Sequence, residues 1–152
     1  MVAAALSGTD RLGYLLVLRI WALDYSVADD LERCAYVRAS GLAAKERWRI
    51  NRGSENVRGV TRSALTELIT PQKCRACCGS GDQWNMDATK IEVCRSCGGT
   101  GRKRYTGTER AMIAGIPQQT WSETWARRHD QVYALMVDAE RAAIKVLHKG
   151  LS

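Results

Sequence analysis

The chain has 152 residues, 45% of them hydrophobic, with five Trp, five Tyr, no Phe, two Pro and a formal net charge of +7. That length and apolar fraction exclude a disordered tail, and so few prolines argue against a loop-rich β fold, which leaves a mainly α protein. No Lys or Arg precedes Arg11, Arg19 interrupts the apolar stretch 14–23, and no run reaches the roughly 18 apolar residues of a membrane span, so a cytoplasmic protein without a membrane partner is expected.

In chain order, Ser7-Gly8-Thr9-Asp10 can cap a helix with an apolar stripe at Leu12, Leu16, Ile20, Leu23, Val27, Leu31 and Cys34. Ser26 with Asp29 is a second capping pair, so two helices meeting near 24–26 are predicted. Cys34 lies on the buried stripe and reads as a small core residue. Ser40-Gly41 breaks the pattern, 42–50 resumes it with Trp48, and Asn51-Arg52-Gly53-Ser54 breaks it again. A short helix is then predicted from Thr61 to about Thr70-Pro71.

Residues 72–105 change character, being rich in Gly and Cys and poor in aliphatics, with short extended pieces around 83–86 and 90–93. Such a segment cannot bury a core of its own. Cys74-Arg75-Ala76-Cys77-Cys78-Gly79-Ser80-Gly81 returns as Cys94-Arg95-Ser96-Cys97-Gly98-Gly99-Thr100-Gly101. The spacing C-x2-C-x16-C-x2-C is that of one structural four-thiolate zinc site, with Cys74, Cys77, Cys94 and Cys97 as ligands. The glycines after each pair suit a knuckle whose N–H groups turn toward sulfur at φ > 0, and Arg75, Arg95 and Arg102 offset the charge of the centre. A thioredoxin-like redox pair is disfavoured because two matched pairs are present without a βαβ pattern, and iron–sulfur ligands usually follow a different spacing. Cys78 has no partner in register and is left over.

Beyond it, Thr106-Gly107-Thr108-Glu109 is a capping box for a helix from Arg110 to about Ala114, which Gly115-Ile116-Pro117 ends. The stretch 118–148 runs without Gly or Pro, with a stripe at Trp121, Trp125, Val132, Met136, Ala139, Ala143 and Leu147 and one step of seven across Arg128 and His129. This is the outline of a helix-turn-helix-like hairpin. His129 and His148, the only histidines, read as surface residues, and no nucleophile–base or paired-carboxylate arrangement suggests an enzyme.

The positive charge is concentrated on either side of the Cys segment. Lys45, Arg47, Arg49, Arg52, Arg58 and Arg62 form one block, and Arg102, Lys103, Arg104 and Arg110 form the other. Such clustering suits a polyanion bound through phosphates, although a charge run is also an ordinary solvated face. The start of the second helix of the hairpin offers Gln119, Thr120, Ser122 and Arg127, which can meet base edges and phosphates.

Taken together, the stretch from Cys74 to about Leu147 resembles the C-terminal half of the lambda Q-like family of bacteriophage late-gene antitermination proteins. The features concerned are the two Cys-Gly octads, Ile116-Pro117, Thr120-Trp121-Ser122-x-Thr124 and the Tyr-centred helix 131–137. Two residues, Gln118 and Gln119, separate the Ile-Pro and Thr-Trp-Ser elements, fewer than in that family. The resemblance implies a regulator that binds DNA near a late promoter, engages paused host RNA polymerase and its sigma factor, narrows the exit path of the nascent RNA and makes the enzyme pass terminators, inside the host bacterial cell. The alternatives are a zinc-stapled DNA-binding regulator that does not travel with polymerase, and a DnaJ-like zinc module for unfolded protein. The latter lacks the His-Pro-Asp tripeptide and has two Cys repeats where that family has four.

The expected organisation is a mainly α helical domain with an inserted four-cysteine module: a helical region over 1–71, a zinc-ribbon or knuckle module over 72–105, and a helix-turn-helix-like region with a long last helix over 106–152.

Overall fold

The computed structural model describes residues 9–49 and 55–150. Its helices are α1 (Arg11–Ile20), α2 (Ala28–Lys45), α3 (Glu55–Ile69), α4 (Gly107–Ala114), α5 (Gln118–Thr120) and α6 (Ala126–Gly150). A 3-10 turn (Tyr25–Val27) leads into α2, and a π-helical turn (Trp121–Trp125) joins α5 to α6. The strands β1 (Asp82–Trp84) and β2 (Ile91–Val93) form one antiparallel hairpin in which Trp84 faces Ile91.

Two compact units result, one made of residues 1–69 with 107–152 and the other of residues 70–106. The helical regions before and after the Cys segment share one core, with the Cys module inserted between them in the chain. Within the helical unit α6 packs on α1 and α3, and α3 packs on α2 and α4. Leu12, Leu16, Leu31, Val60, Trp121 and Val132 are fully buried there. Two glycines set the closest helix approaches. A Cβ on Gly13 would strike the carbonyl of Ala139, and one on Gly59 would strike that of Ala114.

The N-terminal break is found, but its chemistry differs from the expectation. Asp24, not the Ser26–Asp29 pair, makes the cap, accepting a hydrogen bond from the Ser26 amide at 2.9 Å. Leu23 leaves the stripe altogether, exposed and at φ 54°. Asp10 does not cap α1 with its side chain; it pairs with Arg38 at 2.6 Å, while Ser7 and Gly8 lie outside the described residues. Cys34 is partly buried against the core, and burial, with Asp10 next, raises its thiol pKa, which leaves it inert.

Ser40-Gly41 does not break α2. A Cβ at Gly41 would meet nothing, so the glycine sits harmlessly on an open face, and helix formation, supported by buried Ala39 and Ala43, continues to Lys45. The helix is closed off by Arg47, just past its end, which adopts φ 51° and lets Trp48 N–H reach the Ala43 carbonyl at 2.9 Å. The predicted break at 51–54 lies outside the described residues. Thr61 does not open α3; it is mid-helix, and its hydroxyl donates back to the Val57 carbonyl. α4 takes in the capping box and starts at Gly107; Gly115 at φ 67° ends it, with Ile116 N–H on the Ala111 carbonyl.

His129 is the clearest correction. It has no exposed surface and fills the step of seven in the stripe between Trp125 and Val132. Trp121 meets its ring edge-on at 5.5 Å and Tyr133 stacks on it. Among the described residues neither ring nitrogen has a hydrogen-bond partner; Glu67 of α3 and Asp130 of α6 stand 3.6 and 3.7 Å away. Glu67 is taken up by Arg110 of α4, which grips it with two bonds of 2.8 and 2.9 Å. Burial, and after it the Arg110 cation, lowers the His129 pKa against the opposing pull of Glu67 and Asp130. The folded protein thus holds this imidazole neutral. The unfolded chain takes up its proton first, so stability is full above about pH 6.5 and falls as the pH drops toward the lower folded pKa, by at most about 1.4 kcal/mol per pH unit. Urea midpoints at pH 7.5 and 5.5 are expected to show this loss in the wild type and a smaller one in His129→Leu.

Candidate metal centre and charged surfaces

In the 70–106 unit the two octads fold into two matching jaws. Cys74, Cys77, Cys94 and Cys97 are all buried, and their sulfurs lie within 4.8 Å of one another. Cys74 and Cys94 sulfurs are 3.9 Å apart, and those of Cys77 and Cys97 are 3.8 Å apart. A tetrahedral ion bonded to thiolates at about 2.3 Å spaces them at about 3.8 Å. These separations fit a shared metal ion and are far too long for disulfides.

The jaws repeat the same bonds at equivalent positions. Gly81 and Gly101 amides approach the sulfurs of Cys77 and Cys97 at 3.2 and 3.3 Å, and the hydroxyls of Ser80 and Thr100 reach the carbonyls of Cys77 and Cys97. The turns are closed by Gly79 N–H on the Cys74 carbonyl and, one position earlier in the second octad, by Gly98 N–H on that of Cys94. Each jaw then closes on the other: Cys74 N–H bonds the Gly101 carbonyl and Cys94 N–H that of Gly81. Gly79, Gly81, Gly98, Gly99 and Gly101 all have positive φ, as their places in the octads predict. Cys78 occupies the position of Gly98, exposed and at φ 53°, and its sulfur is not part of the cluster.

The donated amides prepare the sulfurs to be thiolates. Burial pushes the Cys97 thiol up, but the Gly101 and Gly99 amides outweigh it and bring its pKa down to about 6. Cys77 is lowered in the same way, against burial, by Gly81 and Gly79. For Cys94 the Cys97 amide favours the thiolate, but burial and the nearby Cys97 sulfur prevail and raise it. With four protein ligands such a centre is closed, which makes it a staple.

The basic residues fall on both units. In the metal unit Arg75, Arg95, Arg102 and Arg104 are exposed. Lys73 and Arg102 form an antiparallel bridge, Lys103 N–H bonds the Gln72 carbonyl, and the Lys103 ammonium lies 5.7 Å from the Tyr105 ring.

In the helical unit α4 is followed by the turn 115–117, the short α5 and the π-helical turn that leads into α6. Gln119 donates to Glu123 and Ser122 to the Gln118 carbonyl, Thr120 is half-buried, and Arg127 is exposed. Arg110 is the exception among the expected phosphate contacts, because its guanidinium is turned inward onto Glu67 and also lies 3.5 Å from Asp130. His148 is exposed, as expected. Sequence reasoning missed Arg128, which stacks on Trp48 and Trp125 at 5.1 and 4.6 Å; its place in the gap of the apolar stripe, beside two tryptophans, was the available signal.

Compared with known proteins, the chain matches no family model and no curated sequence. Among the described residues no helix is long and apolar enough to cross a membrane.

Proposed function

We propose that this protein is a bacteriophage transcription regulator of the antiterminator type, which binds DNA near a late promoter, engages paused host RNA polymerase and its sigma factor, and makes the enzyme read through terminators. The observation that carries this is the order of parts: a four-thiolate knuckle followed at once by a short helix, a Gly-Ile-Pro turn and a helix with a polar, exposed start. Zinc is the ion proposed for the knuckle, since a closed tetrahedron of four cysteines of this size is its usual structural site. Arg102, Lys103, Arg104, Thr120, Ser122 and Arg127 are the proposed DNA contacts. No catalytic step is assigned, and the nascent RNA near the exit channel is the proposed point of action on elongation.

The test is single-round transcription with purified host polymerase on a template carrying a late promoter and a downstream intrinsic terminator. The expected result is readthrough that depends on the promoter-proximal DNA. Promoter binding without readthrough would leave a zinc-stapled DNA-binding regulator, and capture of unfolded protein without DNA binding would favour the chaperone-like module.

A further inference from the structure

α3 carries Arg58 and Arg62, one helical turn and about 6 Å apart along the axis, both exposed. Arg49, in the segment after α2, and Arg128 of α6 face the same groove, which encloses about 570 Å³ and is also lined by Thr120 and Thr124. Glu55 is the one acid among its lining residues. Four arginines elsewhere are compensated by acids: Arg11 and Arg33 pair with Asp30, Arg38 with Asp10, and Arg110 with Glu67. Among the described residues, Arg49, Arg58, Arg62 and Arg128 have no such ion pair.

Two of these cations are already held in place. Arg128 stacks on Trp48 and Trp125 and donates to the Arg49 carbonyl at 3.1 Å, and Arg58 lies 4.0 Å over the Tyr36 ring. A guanidinium fixed by stacking keeps its donors for a ligand and loses little side-chain entropy when one arrives. Four guanidinium forks in one groove, two of them held by stacking, with two threonine hydroxyls beside them, match the oxygens of a phosphodiester chain.

We propose that this groove seats the sugar-phosphate backbone of duplex DNA, with Arg49, Arg58, Arg62 and Arg128 on phosphates and Thr120 and Thr124 beside them. The inference rests on the DNA-binding part of the proposed function and goes beyond it. It moves the main phosphate contact onto α3 and the segment after α2, outside the helix-turn-helix outline, and makes Thr120 a backbone contact instead of a base reader.

The experiment is fluorescence anisotropy of the full, metal-loaded chain with a mixed-sequence duplex of about 30 base pairs, from about 50 to about 200 mM salt. Arg58→Glu with Arg62→Glu is expected to weaken binding roughly tenfold or more and to reduce the log–log salt slope by about 2, whereas Arg58→Lys with Arg62→Lys, which keeps both charges but not the forks, keeps the wild-type slope and loses less affinity than the Glu variant. Unchanged affinity and slope in the Glu variant, with binding lost instead in Lys103→Glu with Arg104→Glu, overturns the groove and leaves DNA binding intact. A wild type that binds no duplex overturns DNA binding and the groove with it. Should the Glu variant melt early, the arginine Nε–Hε NMR signals of the wild type decide. Shifts at the four groove arginines on adding duplex support the proposal, and shifts confined to Arg102 and Arg104 overturn it.

Discussion

Replacing Cys94 by Ser is expected to abolish metal binding at the four-cysteine cluster and unfold residues 70–106 while the helical unit stays folded. The reason lies in what holds each unit. The only buried apolar cluster of the metal unit is the four cysteines themselves, and its hairpin exposes Trp84, Ile91 and Val93. A two-stranded hairpin without a hydrophobic face is not stable alone in water. A structural zinc ion supplies on the order of 10 kcal/mol, more than enough to order such a segment, and losing one buried ligand of four forfeits most of it. The Cys74–Gly101 and Cys94–Gly81 bonds join the two jaws, so they are expected to part when the ion the four sulfurs would share is lost. The core of the helical unit, by contrast, contains no residue from 70–106. The check is metal content by mass spectrometry together with amide NMR. One ion per wild-type chain, none in the variant, and collapse of dispersion confined to 70–106 are expected. A variant that keeps a dispersed spectrum across the knuckle without metal would overturn the staple.

Local chemistry made the metal centre legible, because octad spacing fixes the ligands and the glycine positions fix the backbone signs. The same holds for the end of α4, where Gly115 is the residue type the left-handed cap favours. Legibility failed where a long-range partner or an unusual backbone choice decided the outcome. Arg47 ends α2 in a left-handed conformation that its residue type does not advertise, and so Ser40-Gly41 was the more visible but wrong stop. His129 reads as polar and exposed, yet Trp121, Tyr133 and the Glu67–Arg110 pair enclose it, and three of those four come from outside its own helical turn. That the Cys module is inserted in one helical domain was legible, but which helices meet was not: α1 and α3 pack on α6 through contacts across about a hundred residues of chain that no periodicity encodes.

Trp121→Ala is expected to cost the helical unit about 3–5 kcal/mol, the largest effect of any single truncation in its core. Trp121 is the largest of the fully buried side chains, at 1% exposure. It sits at the first position of the π-helical turn, where the Ala126 amide bonds the Trp121 carbonyl five residues back. That wider turn sets Trp121 and Trp125 both toward the core, and the Trp121 ring then covers His129 and lies next to Gly107 at the start of α4. Truncation would leave a cavity beside an imidazole that already has no hydrogen-bond partner, so water entering it would also raise the His129 pKa and reduce the acid sensitivity described above. Urea unfolding followed by the far-ultraviolet signal measures the loss, with Trp84→Ala, at a ring 62% exposed, as the comparison expected to change stability by less than about 1 kcal/mol. A loss below about 1 kcal/mol for Trp121→Ala would mean that the indole is not the keystone of the packing between the π-helical turn and α4.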